Sequence, residues 1–193
     1  MIRRWTLLVL LTMGVCSGAM PAAQAAPLPA DSVYRTGLIL RDQDGRVFTL
    51  VSLRGRPVIV SMFYVSCRDA CPLTVSAIER LRAAIEARTG RPAPPVVLIS
   101  FDPAHDTVRE LGMMAAMHDL KGPVWRLARP EQGDVRAFAA TLGVFWRQRP
   151  DGNFSHNVEI VLLDADGRIV TETAGTGAPD PVFVRAAARA DLR

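Results

Sequence analysis

The chain has 193 residues, 49% of them hydrophobic, which fits one domain with a sizeable core plus an export leader. Its formal net charge of +4 comes from scattered arginines, with Lys121 as the sole lysine and no basic run of five or more. Nucleic-acid binding is excluded on that pattern, and no stretch after the leader has the ~20 apolar residues that span a bilayer.

Residues 1–25 read as a secretory signal. Arg3 and Arg4 form the charged start, Trp5 to Val15 the apolar stretch, and Ala23-Gln24-Ala25 a small–x–small cleavage pattern. The alternative is an uncleaved leader that serves as a membrane anchor. Cleavage removes Arg3, Arg4 and no acid, so two of the positive charges go with it. It also removes Cys16, leaving Cys67 and Cys71 in a chain bound for an oxidising compartment. A disulfide across so short a loop adds little stability, so this pair points to chemistry.

Ala22 to Asp31 is Ala/Pro-rich, and residues 26–35 read as a flexible lead-in to a domain over 36–193. Leu38-Ile39-Leu40 and Val47 to Leu50 flank Asp42-Gln43-Asp44-Gly45, a hairpin pattern. Pro57 to Phe63 is a buried strand, and Pro72 to Ala87 has helical spacing of its apolar residues. Val96 to Phe101 is a second buried strand, and Thr107 to Leu120 a second helix. A short strand at Val124 to Leu127 and a helix from about Gln132 to Leu142 follow. Val158 to Leu163 and Arg168 to Thr173 form a hairpin around Asp164-Ala165-Asp166-Gly167, and Asp180 to Leu192 closes as a helix. The order predicts an α/β fold: a thioredoxin-like mixed sheet flanked by helices on both faces, with an N-terminal hairpin. The two core strands should be parallel, joined by a right-handed crossover.

The informative stretch is Phe63-Tyr64-Val65-Ser66-Cys67-Arg68-Asp69-Ala70-Cys71-Pro72, a strand end running into a helix start. Proline is well tolerated at the first helical position, so Pro72 marks the helix start and places Cys71 near the cap. The positive end of the helix dipole favours a thiolate there, and Arg68 acts in the same direction. Two sulfurs in one small space can close a disulfide, exchange disulfides with a partner, or grip a soft metal. His156, in Gly152-Asn153-Phe154-Ser155-His156, precedes the strand at Val158. If that strand runs antiparallel to the one ending at Phe63, His156 reaches the cysteine loop. Two thiolates and an imidazole suit Cu(I), whereas Zn(II) usually takes a fourth ligand. The competing reading of His156 is an ordinary loop histidine.

At these residues the sequence resembles the Sco/SenC family of copper-binding assembly factors for cytochrome c oxidase. Three features carry the resemblance, which runs from about Thr36 to the end. They are the cysteine stretch above, Ser100-Phe101-Asp102-Pro103-Ala104-His105-Asp106-Thr107, and His156 ahead of an apolar strand and an Asp-Gly turn. The resemblance implies a thioredoxin-like fold with copper at Cys67, Cys71 and His156. It further implies a metallochaperone in the periplasm, soluble or tethered to the inner membrane. Its partner would be the copper-site subunit of the oxidase or another periplasmic copper protein. The second implied reading is thiol–disulfide oxidoreduction on the cysteines of the oxidase copper site, or redox sensing. Asn157 departs from the serine expected after the histidine.

Other residues draw weaker readings. Asp102, at the same sheet edge, is either a docking residue or, by preference, a turn carboxylate before Pro103, with Asp106 near the cap of the next helix. Met113, Met114, Met117 and His118 could form a second copper site, but methionines at helical spacing are read as core filling instead. His105 is placed at the surface, and Trp125 and Trp146 in the core or a groove. A peroxidase of the related peroxiredoxin type lacks its motif here.

Overall fold

The computed structural model describes residues 26–66, 70–174 and 177–190. The leader read over 1–25 lies outside them.

Strands form where apolar residues run unbroken. β3 (Val58–Phe63) is buried at every position, and so is β4 (Val96–Ser100). Such strands need cover on both faces, and the sheet has it. Ile59 and Phe63 face a cluster with Ile78, Leu81, Leu111 and Phe183. Val58, Val60 and Met62 face another with Tyr34, Leu50, Phe138 and Leu142. Each fully buried large side chain contributes about 1.5–3 kcal/mol, so both layers stabilise the sheet.

The remaining elements, in chain order, are β1 (Ile39–Asp42), β2 (Val47–Thr49), α1 (Ala70–Thr89), α2 (Val108–Met117), β5 (Trp125–Gln132) and α3 (Val135–Thr141). They are followed by β6 (Trp146–Gln148), β7 (Phe154–His156), β8 (Ile160–Leu163), β9 (Ile169–Thr173) and α4 (Pro181–Ala190). The seven-stranded sheet runs β2-β1-β5-β4-β3-β8-β9, and β6 and β7 pair apart from it. β3 and β4 are parallel and β8–β9 is an antiparallel hairpin, as the sequence predicts, and β8 is antiparallel to β3, which meets the condition set for His156. The first hairpin forms too, but β1 also pairs with β5 and so becomes part of the sheet. Among the described residues no helix is long and apolar enough to cross a membrane.

Three expectations change. Residues 128–132, expected to lead into a helix, extend β5 by pairing with β1, and α3 starts only at Val135 behind its Asp134 cap. β6 and β7 were not anticipated. The segment expected as a flexible lead-in contains a 3-10 turn, Val33–Thr36, with Val33 and Tyr34 buried. Gly167 makes room for it. Its φ is +80°, and a Cβ there would lie 2.6 Å from the Tyr34 ring. The Val33 N–H donates to the Gly167 carbonyl at 2.9 Å, and the Ser32 hydroxyl to the Asp166 carbonyl at 2.6 Å.

Candidate metal centre

The cysteine stretch leaves the sheet where β3 ends. Phe63 pairs with Ser100 in the last rung of the β3–β4 ladder, and the Phe101 N–H donates to the Phe63 carbonyl at 3.0 Å. Cys67 lies outside the described residues. The backbone of Cys71 is the second residue of α1, which starts at Ala70 rather than at Pro72, so Cys71 lies two positions past the cap. The field of the helix N-terminus still acts there.

His156 comes to this same edge. The register Ser61↔Ile160 starts β8 beside the end of β3, as expected. The side chain is not on a plain loop, however. It ends β7, directly opposite Trp146 of β6. Alternation along β7 puts Phe154 and His156 on one face and leaves Ser155 exposed. That face rests on an aromatic shelf. The His156 ring is 5.8 Å from Tyr64 and 5.2 Å from Phe101, centroid to centroid. Phe101 stacks on Trp146 at 5.0 Å, and Phe154 meets Tyr64 at 5.0 Å. The Phe154 N–H also donates to the Tyr64 hydroxyl at 3.4 Å. Tyr64 stands three residues before Cys67 in the chain, so the imidazole sits at the root of the cysteine loop.

The imidazole is also oriented. Its Nδ1 lies 2.9 Å from the Asn157 carbonyl oxygen. A carbonyl can only accept, so in the neutral ring this contact puts the proton on Nδ1 and leaves the lone pair on Nε2. A histidine tied down at one nitrogen in this way is the usual form of a metal ligand. A ring held in this way fits a metal ion bound through Nε2. Among the described residues, no group of three or more His, Cys, Asp or Glu side chains is placed to hold a metal.

Asn157 holds the small hairpin in place. Its Oδ1 accepts the Phe145 N–H at 2.7 Å, and its Nδ2 donates to the Gly143 carbonyl at 2.8 Å and to Glu159 at 3.2 Å. The sequence reading treated this residue only as a departure from serine. Its spacing of 12 residues from Phe145 carries no local signal.

Two acids follow the end of β4. Asp102 is nearly buried and takes the His105 Nδ1 at 2.9 Å on both oxygens. This pairing raises the His105 pKa, while the His105 side chain remains 73% exposed, as the surface reading expects. Asp106 does not cap α2. Thr107 does, in a capping box with Glu110. Asp106 is instead 2% exposed and accepts hydrogen bonds from the Val65 N–H and the Ser100 hydroxyl. Burial pushes its carboxyl up to about 6, against the opposing pull of those two hydrogen bonds.

The methionines of α2 divide. Met114 fills the core as expected, but Met113 is 50% and Met117 78% exposed, because α2 presents only one face to the sheet. Trp125 is core, and Trp146 is the stacked floor of the His156 shelf.

The comparisons with known proteins point in one direction. The model of the family described as SCO1/SenC matches residues 33–189. A curated protein of Stutzerimonas stutzeri, "Putative copper-binding protein", is 39% identical over 134 residues, covering 68% of this chain and 65% of that protein. The chain thus spans somewhat under two thirds of that relative. The solved structure of Bradyrhizobium japonicum ScoI with copper bound superposes with a TM-score of 0.58 at 25% identity, covering 80% of this chain and 96% of that one. A putative electron transfer protein from Aquifex aeolicus VF5 shares the fold, with a TM-score of 0.70 at 24% identity over 83% of this chain and 95% of that one.

Proposed function

This chain belongs to the SCO1/SenC family, and on that premise we propose that it is a copper metallochaperone. It carries one copper ion between Cys67, Cys71 and His156 and passes it to the copper site of cytochrome c oxidase or to another periplasmic copper protein. The copper named for the Stutzerimonas relative and held by Bradyrhizobium ScoI supports the ion. The observation that carries the reading is the imidazole at the root of the cysteine loop, with Nδ1 bonded to the Asn157 carbonyl, which in the neutral ring leaves the lone pair on Nε2.

The chemistry follows from the donors. The field at the start of α1 favours thiolate at Cys71, and thiolate is the form that binds metal. Three ligands leave one side of the ion open. A sulfur or imidazole of the recipient can bond there before one of the three resident bonds breaks, so the ion changes hands by ligand exchange without being released to water. Export, with the leader either cleaved or retained as a tether, places the protein beside the oxidase.

The test is anaerobic Cu(I) titration of the reduced protein against a chromophoric chelator, with Cys67→Ser, Cys71→Ser and His156→Ala alongside. One ion per chain and weaker binding in each variant are expected. Wild-type affinity in His156→Ala refutes the ligand assignment. If that variant also retains dithiol exchange, thiol–disulfide oxidoreduction becomes the function.

A further inference from the structure

We propose that Asp106 is a positioning residue for the copper-binding loop: its buried carboxylate takes over from the sheet as the acceptor that holds Val65, and so sets where the chain enters Cys67. This inference rests on the copper reading above.

The β3–β4 ladder ends at Phe63↔Ser100, with the Phe101 N–H on the Phe63 carbonyl as its last bond. Two residues further along, the Val65 N–H has left the ladder. It points between the two oxygens of Asp106, 3.1 Å from each. The carboxylate thus supplies the acceptor that a neighbouring strand would otherwise give. Its own position is fixed from two sides. The Ser100 hydroxyl, at the end of β4, donates to Oδ2 at 2.5 Å, and the Ser100 Oγ accepts the Asp102 N–H at 2.9 Å. The Asp106 N–H donates to the Asp102 carbonyl at 3.0 Å, and the capping box at Thr107 follows immediately. Asp106 is therefore wedged between the end of one strand and the start of α2.

A carboxylate is seldom buried to 2% exposure unless something requires it. Here the requirement is the loop. Val65 stands two residues before Cys67, and two residues span at most about 7 Å of chain, so a held Val65 limits how far the entry to Cys67 can wander. Outer groups that orient a ligand in this way typically govern about 10–100-fold of metal affinity. The mirror arrangement exists for the third ligand, where Asn157 both ties the hairpin and accepts the imidazole N–H.

The experiment compares the reduced full chain with Asp106→Ala and Asp106→Asn. It reads Cu(I) affinity by competition, alkylation rates of Cys67 and Cys71 by peptide mapping, and far-UV circular dichroism. Asp106→Ala should weaken Cu(I) about 10–100-fold and change the Cys67 alkylation rate, while Cys71, carried by α1, keeps its own. Asp106→Asn should stay within about threefold of wild type, because the amide oxygen still accepts the Val65 N–H and the amide N–H can bond the Ser100 Oγ. A folded Asp106→Ala protein with wild-type affinity and a wild-type Cys67 rate overturns the proposal. So does an Asp106→Asn protein as impaired as Asp106→Ala. If Asp106→Ala does not fold, Ser100→Ala, which frees one end of the carboxylate, is read by the same two outcomes. If the wild type takes up no Cu(I), the copper reading falls and the alkylation rates alone decide the role of Asp106.

Discussion

Raising the pH from about 4.5 to about 7 should lower the stability of the metal-free protein by about 2 kcal/mol through Asp106 alone. Burial raises this carboxyl from 3.8 to about 6 in the folded chain. The folded state therefore holds a proton that the unfolded state has already lost across that window. A group raised on folding contributes its stability below its unfolded value and loses it as pH rises through the folded one. The full loss corresponds to about two pKa units, or about 3 kcal/mol, and roughly two thirds of it falls between those pH values. The assay is urea unfolding of reduced wild type and Asp106→Asn at several pH values, taking the difference between the two curves. Asp31 and Asp151, whose carboxyls are lowered by hydrogen bonds, give slopes of the opposite sign in both proteins and cancel. A difference that is flat, or that rises with pH, refutes the assignment of a raised carboxyl to Asp106.

Three further outcomes are expected. Asp102→Asn should lower the His105 pKa towards its ordinary value, followed by NMR titration of the ring, because the Asp102 hydrogen bond and charge are what raise it. Gly167→Ala should destabilise the fold by about 2–4 kcal/mol in chemical denaturation, since it adds a side chain at φ +80° and drives a Cβ into the buried Tyr34 ring. A loss below about 1 kcal/mol would show that the Tyr34 segment can shift at little cost. Asn157→Ala should weaken Cu(I) about tenfold with little change in secondary structure, as it frees the hairpin that carries His156. Unchanged affinity there would mean that β6–β7 is held by its aromatic shelf alone.

Much of the fold was legible because the core is written in periodicity. Unbroken apolar runs at Val58–Phe63 and Val96–Ser100 identify central strands, and the Asp-Gly turns mark both hairpins. β6 and β7 were missed because each has only three residues and lies outside the main sheet, so neither carries a run long enough to show alternation. The extension of β5 was missed because Pro130 and Glu131 make a poor strand pattern, and pairing with β1 overrides that local preference. Asp106 does lie next to the α2 cap, but its hold on Val65 and Ser100 was not legible because those partners are 41 and 6 residues away.

The residues of the candidate site were named from sequence because their chemistry is intrinsic: two thiols at a strand-to-helix junction and one imidazole before a strand. Tertiary structure decided what surrounds them, namely the aromatic shelf of Tyr64, Phe101, Trp146 and Phe154, the tautomer of His156 and the carboxylate behind Val65. The division has a physical origin. Side-chain identity and the pattern of burial are local properties of a chain, whereas a hydrogen bond between distant residues exists only once the strand registers that bring them together have formed.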